Sequence, residues 1–377
     1  MEEKIGMTEL YAPYLRIREE VDAAVDEVIA QAAFINGPAV ARFAEGLADY
    51  LGARHVVPCG NGTDALVLAL TAAGVSPGDE VILPAFTFGA TAQAVLLTGG
   101  TPVLADVDPA TFNLDPASVE RLVGPRTRAI VPVHLFGCCA DMEAIMRLAA
   151  ERNIRVVEDN AQSLGAQHVA SDGTRRAAGL VGDIGCTSFF PTKNLGCFGD
   201  GGAVYTDDDA LAARVRSIAN HGQRGRKYYS EERGFNSRLD TIQAAVLNVK
   251  LPRLDEYIGA RRRAAAWYRC RLEDVAGIEL PCEPAYCRHT YNQYTLKIAG
   301  GRRDRVRERL AGEGISSTVY YPWPLYRQPA FGGVCRCDGL MHVAPALSEC
   351  VLSLPMHTEL TERQVDRVAA CVKRAME

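Results

Sequence analysis

Three short stretches hold residues whose types and spacing could do chemistry. In "SFFPTKNLGCFGDGG" (188–202) a single lysine, Lys193, follows two aromatics and a proline and precedes a cluster of glycines. It is not a Walker loop, which ends in Gly-Lys-Ser/Thr, because Lys193 is followed by Asn194. In "PCGNGTDALVLAL", Gly60 to Ala65 spell G-x-G-x-x-A between a strand-like and a helix-like run. Backbone N–H groups of Gly62, Thr63 and Asp64 at a helix start suit a phosphate monoester, and the Thr63 hydroxyl adds a bond. An ordinary N-cap turn would carry the same letters. A dinucleotide fingerprint also needs an acidic residue ending the next strand. Asp79 and Glu80, the acids at the right distance, lie instead in the turn "SPGDE" before that strand. Third, the pair Glu158-Asp159 in "VVEDNAQSLGA" ends a buried strand. A carboxylate there points into the crevice where α/β sheets bind ligands, although a lone Asp at this place also caps helices.

A lysine amine, a phosphate cup and a strand-end carboxylate are together the parts that hold pyridoxal 5'-phosphate (PLP). Lys193 would form the Schiff base, the Gly62-Thr63 turn would hold the phosphate, and Asp159 would pair with the pyridinium nitrogen. A protonated ring nitrogen makes the ring an electron sink for a carbanion at an amino acid α-carbon. Lys193, displaced by the incoming amine, becomes a free base able to shuttle a proton between that carbon and the cofactor's aldehyde carbon. That 1,3-shift is transamination. An aromatic near the cup could stack on the ring, and Phe88 of "PAFTFGAT" ends the second strand-like run; taken alone it reads as core.

Positioning such groups takes a sheet. From His55 to Asp208 short β-branched runs alternate with helical patterns, which predicts a mainly parallel seven-stranded sheet covered by helices. The strands are expected in "HVVPCG", "VILPAFTF", "TPVLADVD", "AIVPVHLFG", "RVVEDN", "IGCTSFF" and "AVYT". An amphipathic helix should precede the sheet, outside it, and stop at Asn36-Gly37-Pro38. Residues 1–254 form a large α/β domain in this division, and 255–377 a smaller α+β domain with "NQYTLKI" and "STVYYP" as strands. The polar stretch "HVASDGTRRAAG" reads as a surface loop.

The totals agree with a soluble enzyme. Of 377 residues 48% are hydrophobic and 23% charged, and the net charge of -5 gives no basic footprint for nucleic acid. The acidic start "MEEKIGMTEL" has no apolar run, and no stretch reaches membrane-spanning length, so a cytoplasmic protein is expected. The twelve cysteines are scattered, mostly within apolar runs, which argues against a disulfide framework. Cys335 and Cys337 with His342 nearby lack the spacing and second ligand pair of a zinc site; a solvated loop and no metal are expected there.

With these residues in hand, the chain resembles the DegT/DnrJ/EryC1/StrS family of PLP-dependent sugar aminotransferases, of fold type I. The likeness runs nearly end to end, through "FINGPAVARFAEGLADYLG", "GNGTDAL", "GDEVILPAFTFGATAQAV", "VPVHLFG", "VEDNAQSLGA", "SFFPTKNLGCFGDGG" and "NSRLDTIQAAVL". It implies Lys193 as the Schiff-base lysine, Asp159 as pyridine partner and Phe88 as stacking ring. It places Gln162 at the cofactor's hydroxyl side. Gly62, Thr63 and Ser188 would bind the phosphate, completed by Asn236 from the neighbouring subunit of a homodimer with shared sites. Arg238, Tyr320 and Tyr321 are candidates for substrate contact; for the two tyrosines a buried β-strand role fits equally. The family's dehydratases carry histidine at the lysine position, so Lys193 favours amino transfer. The resemblance implies L-glutamate as donor and a keto nucleotide-sugar, dTDP- or UDP-linked, as acceptor. The surroundings of the lysine look closest to members acting on 3-keto rather than 4-keto sugars. A non-catalytic regulatory member would keep the fold without needing these groups.

Overall fold

The computed structural model describes residues 4–337 and 339–377. Its strands in chain order are β1 (His55–Cys59), β2 (Glu80–Pro84), β3 (Thr101–Ala105), β4 (Thr127–Ile130), β5 (Arg155–Asp159), β6 (Gln167–Val169), β7 (Arg175–Ala177), β8 (Ile184–Ser188), β9 (Gly202–Thr206), β10 (Ile278–Glu279), β11 (Cys287–Arg288), β12 (Tyr294–Ile298), β13 (Arg336–Cys337) and β14 (Val351–Leu354). The main sheet has the order β1-β9-β8-β5-β4-β2-β3-β13. Only β9 runs against its neighbours, pairing antiparallel with both β1 and β8. Continuous apolar runs such as Val81-Ile82-Leu83 are buried on both faces, as a helix-covered parallel sheet demands.

The seven expected strands stand in this sheet, and an eighth joins them. Arg336 and Cys337, read from sequence as loop, pair parallel with Val103 and Leu104 of β3. Glu80 opens β2 rather than lying in the turn before it, and is buried between Arg126 (2.5 Å) and Arg336 (2.6 Å), fixing the late strand to the sheet. The polar stretch after Gln167 is likewise no plain loop: β6 and β7 form a hairpin that pairs with β11.

Helix α1 (Tyr11–Gln31) stops short of Asn36, because Ala32 turns into the left-handed region at φ 50°. A second helix, α2 (Pro38–Leu51), then starts with proline in its first turn, where a missing N–H costs nothing. Beyond the main sheet, β10, β12 and β14 form an antiparallel sheet with their own apolar core, closed by the helices Leu254–Leu272, Arg303–Gly312 and Glu362–Met376. "STVYYP" is not one of its strands. Thr318 makes a single bridge to Ser353, and Pro322 and Pro324 follow, unable to donate to a ladder. The place beside β12 is taken by "VLSL", which is β14. Among the described residues no helix is long and apolar enough to cross a membrane.

Candidate active site

The carboxyl ends of β1, β5 and β8 open on one side of the sheet, and the sequence-predicted groups follow them. After β1 the chain turns through Gly60-Asn61 into α3 (Gly62–Ala72). The Asn61 side chain accepts from the Asp64 N–H at 2.8 Å, so Asp64, expected among the phosphate donors, is already capped. Gly62 and Thr63 keep first-turn N–H groups that have no acceptor within the helix. Ser188, ending β8, lies against this turn: a Cβ on Gly62 would sit 2.7 Å from the Ser188 Cβ and 3.2 Å from its Oγ. A Cβ on Gly202, the first residue of β9, would sit 2.5 Å from the Asn61 carbonyl oxygen. Only glycine lets these backbones approach so closely. Ser237 clamps the turn from the far side, donating to Asp64 Oδ2 at 2.6 Å and accepting from the Gly60 N–H at 3.0 Å.

Successive strand residues face opposite ways, and the acidic pair is divided accordingly. Asp159, 5% exposed, accepts from the Thr91 hydroxyl at 2.9 Å and the Ala161 N–H at 3.1 Å. Burial pushes its carboxyl up, opposed by those two donors and by the charge of Lys193. Lys193 is half-buried in a turn closed by its N–H to the Phe190 carbonyl at 2.9 Å. Burial brings its amine down to about 8 against the pull of Asp159. Glu158 points the other way and is fully buried, accepting from His134 Nε2 (2.7 Å) and from the N–H groups of Gly179 (2.8 Å), Val181 (2.7 Å) and Gly182 (2.5 Å). His134 Nδ1 accepts from the Ala140 N–H, so its Nε2 is the donor to Glu158. Burial alone would raise the Glu158 carboxyl, but His134 and the backbone donors hold it low.

Gln162 spans the next layer, accepting from the Phe136 N–H and donating to the Tyr321 hydroxyl, both at 2.9 Å. The Tyr321 ring meets Phe86 edge-on at 5.8 Å and lies 6.4 Å from Phe136 and from Phe88. Tyr321 is therefore a wall residue reaching back to Gln162 rather than a strand residue, with Tyr320 beside it at 5.8 Å. Phe88 is 61% exposed, so the core reading fails for it; Phe86, two residues earlier, is the core aromatic. Asn236 is exposed and bridges to Asn220, while Arg238 lines a separate groove with Asn36, His55 and Arg216. Within one chain it is the intervening Ser237 that meets the phosphate turn. Thr91, Phe136 and Ser237 escaped the sequence reading; only Thr91 left a signal, one helical turn beyond Phe88.

These groups fit PLP. Two N–H groups without an acceptor among the described residues, over a glycine-lined cup, suit a phosphate, a buried carboxylate suits a ring N–H cation, and an amine lowered to about 8 suits an aldehyde.

The model of the DegT/DnrJ/EryC1/StrS aminotransferase family matches residues 15–373. The chain is 44% identical to the pleiotropic regulatory protein of Geobacillus stearothermophilus, over 96% of this chain and 95% of that one. It is 43% identical to the UDP-N-acetyl-3-dehydro-alpha-D-glucosamine 3-aminotransferase of Acidithiobacillus ferrooxidans, over 99% and 98%. In three dimensions it matches S. venezuelae DesV, solved in complex with a ketimine intermediate, with a TM-score of 0.95 at 39% identity over 100% of this chain and 99% of that one. On the matched span and the site it contains, the chain belongs to the DegT/DnrJ/EryC1/StrS aminotransferase family, whose chemistry is PLP-dependent.

Proposed function

We propose that the protein is a cytoplasmic homodimer that moves the amino group of L-glutamate, by way of PLP and its amino form, onto the C-3 ketone of a UDP- or dTDP-linked sugar. The observation that carries this reading is the meeting of the Gly62-Thr63 turn, Asp159 and Lys193 at the carboxyl ends of one sheet. The Acidithiobacillus relative, named for a 3-dehydro UDP-sugar, supports the position and the nucleotide class.

PLP, when bound, supplies the electron sink on which amino group and α-proton move. Gly62, Thr63 and Ser188 bind its phosphate. Asp159, which accepts from two donors among the described residues, would have room to accept the ring N–H and hold its proton there. Phe88 would cover the ring, and Gln162, oriented by Phe136 and Tyr321, would meet its hydroxyl side. Lys193 Nζ would take up and return the substrate's proton, a task its lowered affinity for protons suits near neutral pH. The donor leaves as 2-oxoglutarate before the sugar enters, a ping-pong order. Tyr320 and Tyr321 would contact the sugar nucleotide in this chain's site, while Arg238, whose groove lies apart from that site, and Asn236 would serve the site of the partner subunit. Exposed Leu10, just before α1, and Tyr11, Leu15 and Ile29 along it support a covered face in such a dimer. We divide the chain into units 1–254 and 255–377.

A regulatory role is favoured by the name of the Geobacillus relative. The two readings part on turnover. With PLP, L-glutamate and a UDP-linked 3-keto sugar, mass spectrometry should show the amino sugar and 2-oxoglutarate in equal amounts. No product from 3-keto or 4-keto acceptors, with PLP bound, would favour regulation.

A further inference from the structure

A small cavity of about 50 Å³ lies beside Lys193, between the start of α1, the 191–194 turn and the helix Leu254–Leu272. The cofactor groups described above do not account for its other walls. Arg261 and His357, 6% and 7% exposed, both line it, and among the described residues Arg261 Nε and His357 Nδ1 have no hydrogen-bond partner. A buried donor left unpaired costs free energy that a ligand can recover. Lys250 lines the same space; its Nζ donates to the Gly196 carbonyl and lies 5.6 Å from the Phe198 ring centre, leaving further N–H donors. One carboxylate faces these groups, of which Arg261 and Lys250 are the cations and His357, held down to about 4 by burial and the Arg261 charge, is a neutral imidazole. It belongs to Glu9, whose Oε1 is already occupied by the N–H groups of Tyr11 (2.8 Å) and Ala12 (3.0 Å). The cavity is therefore built for an anion, and Leu10, Pro13 and Ile17 give it an apolar flank for a short hydrocarbon stem.

We infer that this cavity seats the side-chain carboxylate of a dicarboxylic amino donor, held by Arg261 Nε, His357 Nδ1 and Lys250 Nζ, with the donor's amine directed to Lys193. The assignment rests on the aminotransferase reading and adds to it the residues that select the donor. Arg261 Nη1 also holds the carbonyls of Asn292 (3.3 Å) and Met356 (3.1 Å), so its replacement would disturb folding as well as binding. Lys250 and His357, on separate elements, are the better probes.

The test is calorimetric titration of the PLP-loaded protein with glutarate, which has both carboxylates and no amine to react, and with valerate, which has one carboxylate. Wild type should bind glutarate at least about tenfold more tightly than valerate. Lys250→Met and His357→Gln should each weaken glutarate about tenfold, and should raise KM for L-glutamate by a similar factor while kcat changes far less. Equal binding of glutarate and valerate, or glutarate affinity in both variants within about twofold of wild type, would overturn the assignment. If glutarate binds as expected but L-glutamate never converts the loaded cofactor, the carboxylate site stands and the aminotransferase reading fails. If L-glutamate converts it with unchanged KM in both variants, the reverse holds.

Discussion

Replacing Gly62 by alanine tests the phosphate cup where it is tightest. The new Cβ would lie 2.7 Å from the Ser188 Cβ. Carbon atoms rest at about 3.5–4.0 Å, so the turn and the end of β8 must part by about 1 Å. Both neighbours are backbone-anchored, and the crowding alone should cost about 1–3 kcal/mol of stability. A phosphate oxygen seated about 2.9 Å from the Gly62 and Thr63 nitrogens then loses one bond outright. A hydrogen bond to a charged group contributes about 1.5–3 kcal/mol, so the Kd for PLP should rise about ten- to a hundredfold. Absorbance titration of the cofactor-free protein measures this, with pyridoxal as the control that lacks the phosphate. Pyridoxal affinity should hold within about twofold, since its ring contacts lie elsewhere. Equal weakening of PLP and pyridoxal, or unchanged PLP affinity, would refute the placement of the phosphate at Gly62.

Other expectations follow from the same geometry. Lys193→Ala should slow conversion of bound PLP by L-glutamate about a hundred- to ten-thousandfold, measured in single-turnover absorbance, and added small amines should restore part of the rate. Because burial brings the Lys193 amine down to about 8, its neutral fraction saturates early: PLP capture by the cofactor-free protein should rise with pH and level off above about 8, whereas an ordinary lysine would keep gaining towards 10.5. Glu158→Ala orphans His134 Nε2 and three backbone N–H groups, and should lower stability by about 3 kcal/mol or more in chemical denaturation. The folded Glu158 carboxyl lies below 4.5, so near and below that value the unfolded chain binds more protons; its contribution is complete above 4.5 and is lost as pH falls through the lowered folded value. Glu158→Gln should accordingly show a shallower acid limb than wild type in thermal melts from pH 6 down.

The large sheet was legible because parallel strands buried on both faces are written as continuous apolar runs, and Val81-Ile82-Leu83 or Val156-Val157 have no other use. Lys193, Asp159 and Gly62 were legible for a related reason: each occupies a strand end or a helix start, places that short-range patterns mark. What stayed hidden depends on distance in the chain. Nothing near Arg336 says that its partner is Val103, and a two-residue strand carries no alternation to read. The tyrosine run at 320–321 has the composition of a strand, but Pro322 ends it and Gln162, far earlier in the chain, captures the Tyr321 hydroxyl. Asp64 looked like a phosphate donor until the Asn61 side chain was seen to cap it, a choice made by rotamer rather than by spacing. Glu158 and Asp159 are adjacent letters, yet the strand's alternation gives one to a structural knot with His134 and the other to the site.

The central claim, that Lys193, Asp159 and the Gly62-Thr63 turn form an aminotransferase site, is tested most directly by the visible absorption spectrum of the purified protein with PLP before and after L-glutamate is added. The lysine-bound cofactor should give a visible band that L-glutamate abolishes as the pyridoxamine form and one equivalent of 2-oxoglutarate appear. A band that L-glutamate leaves untouched, or no band with Lys193 intact, would contradict the account.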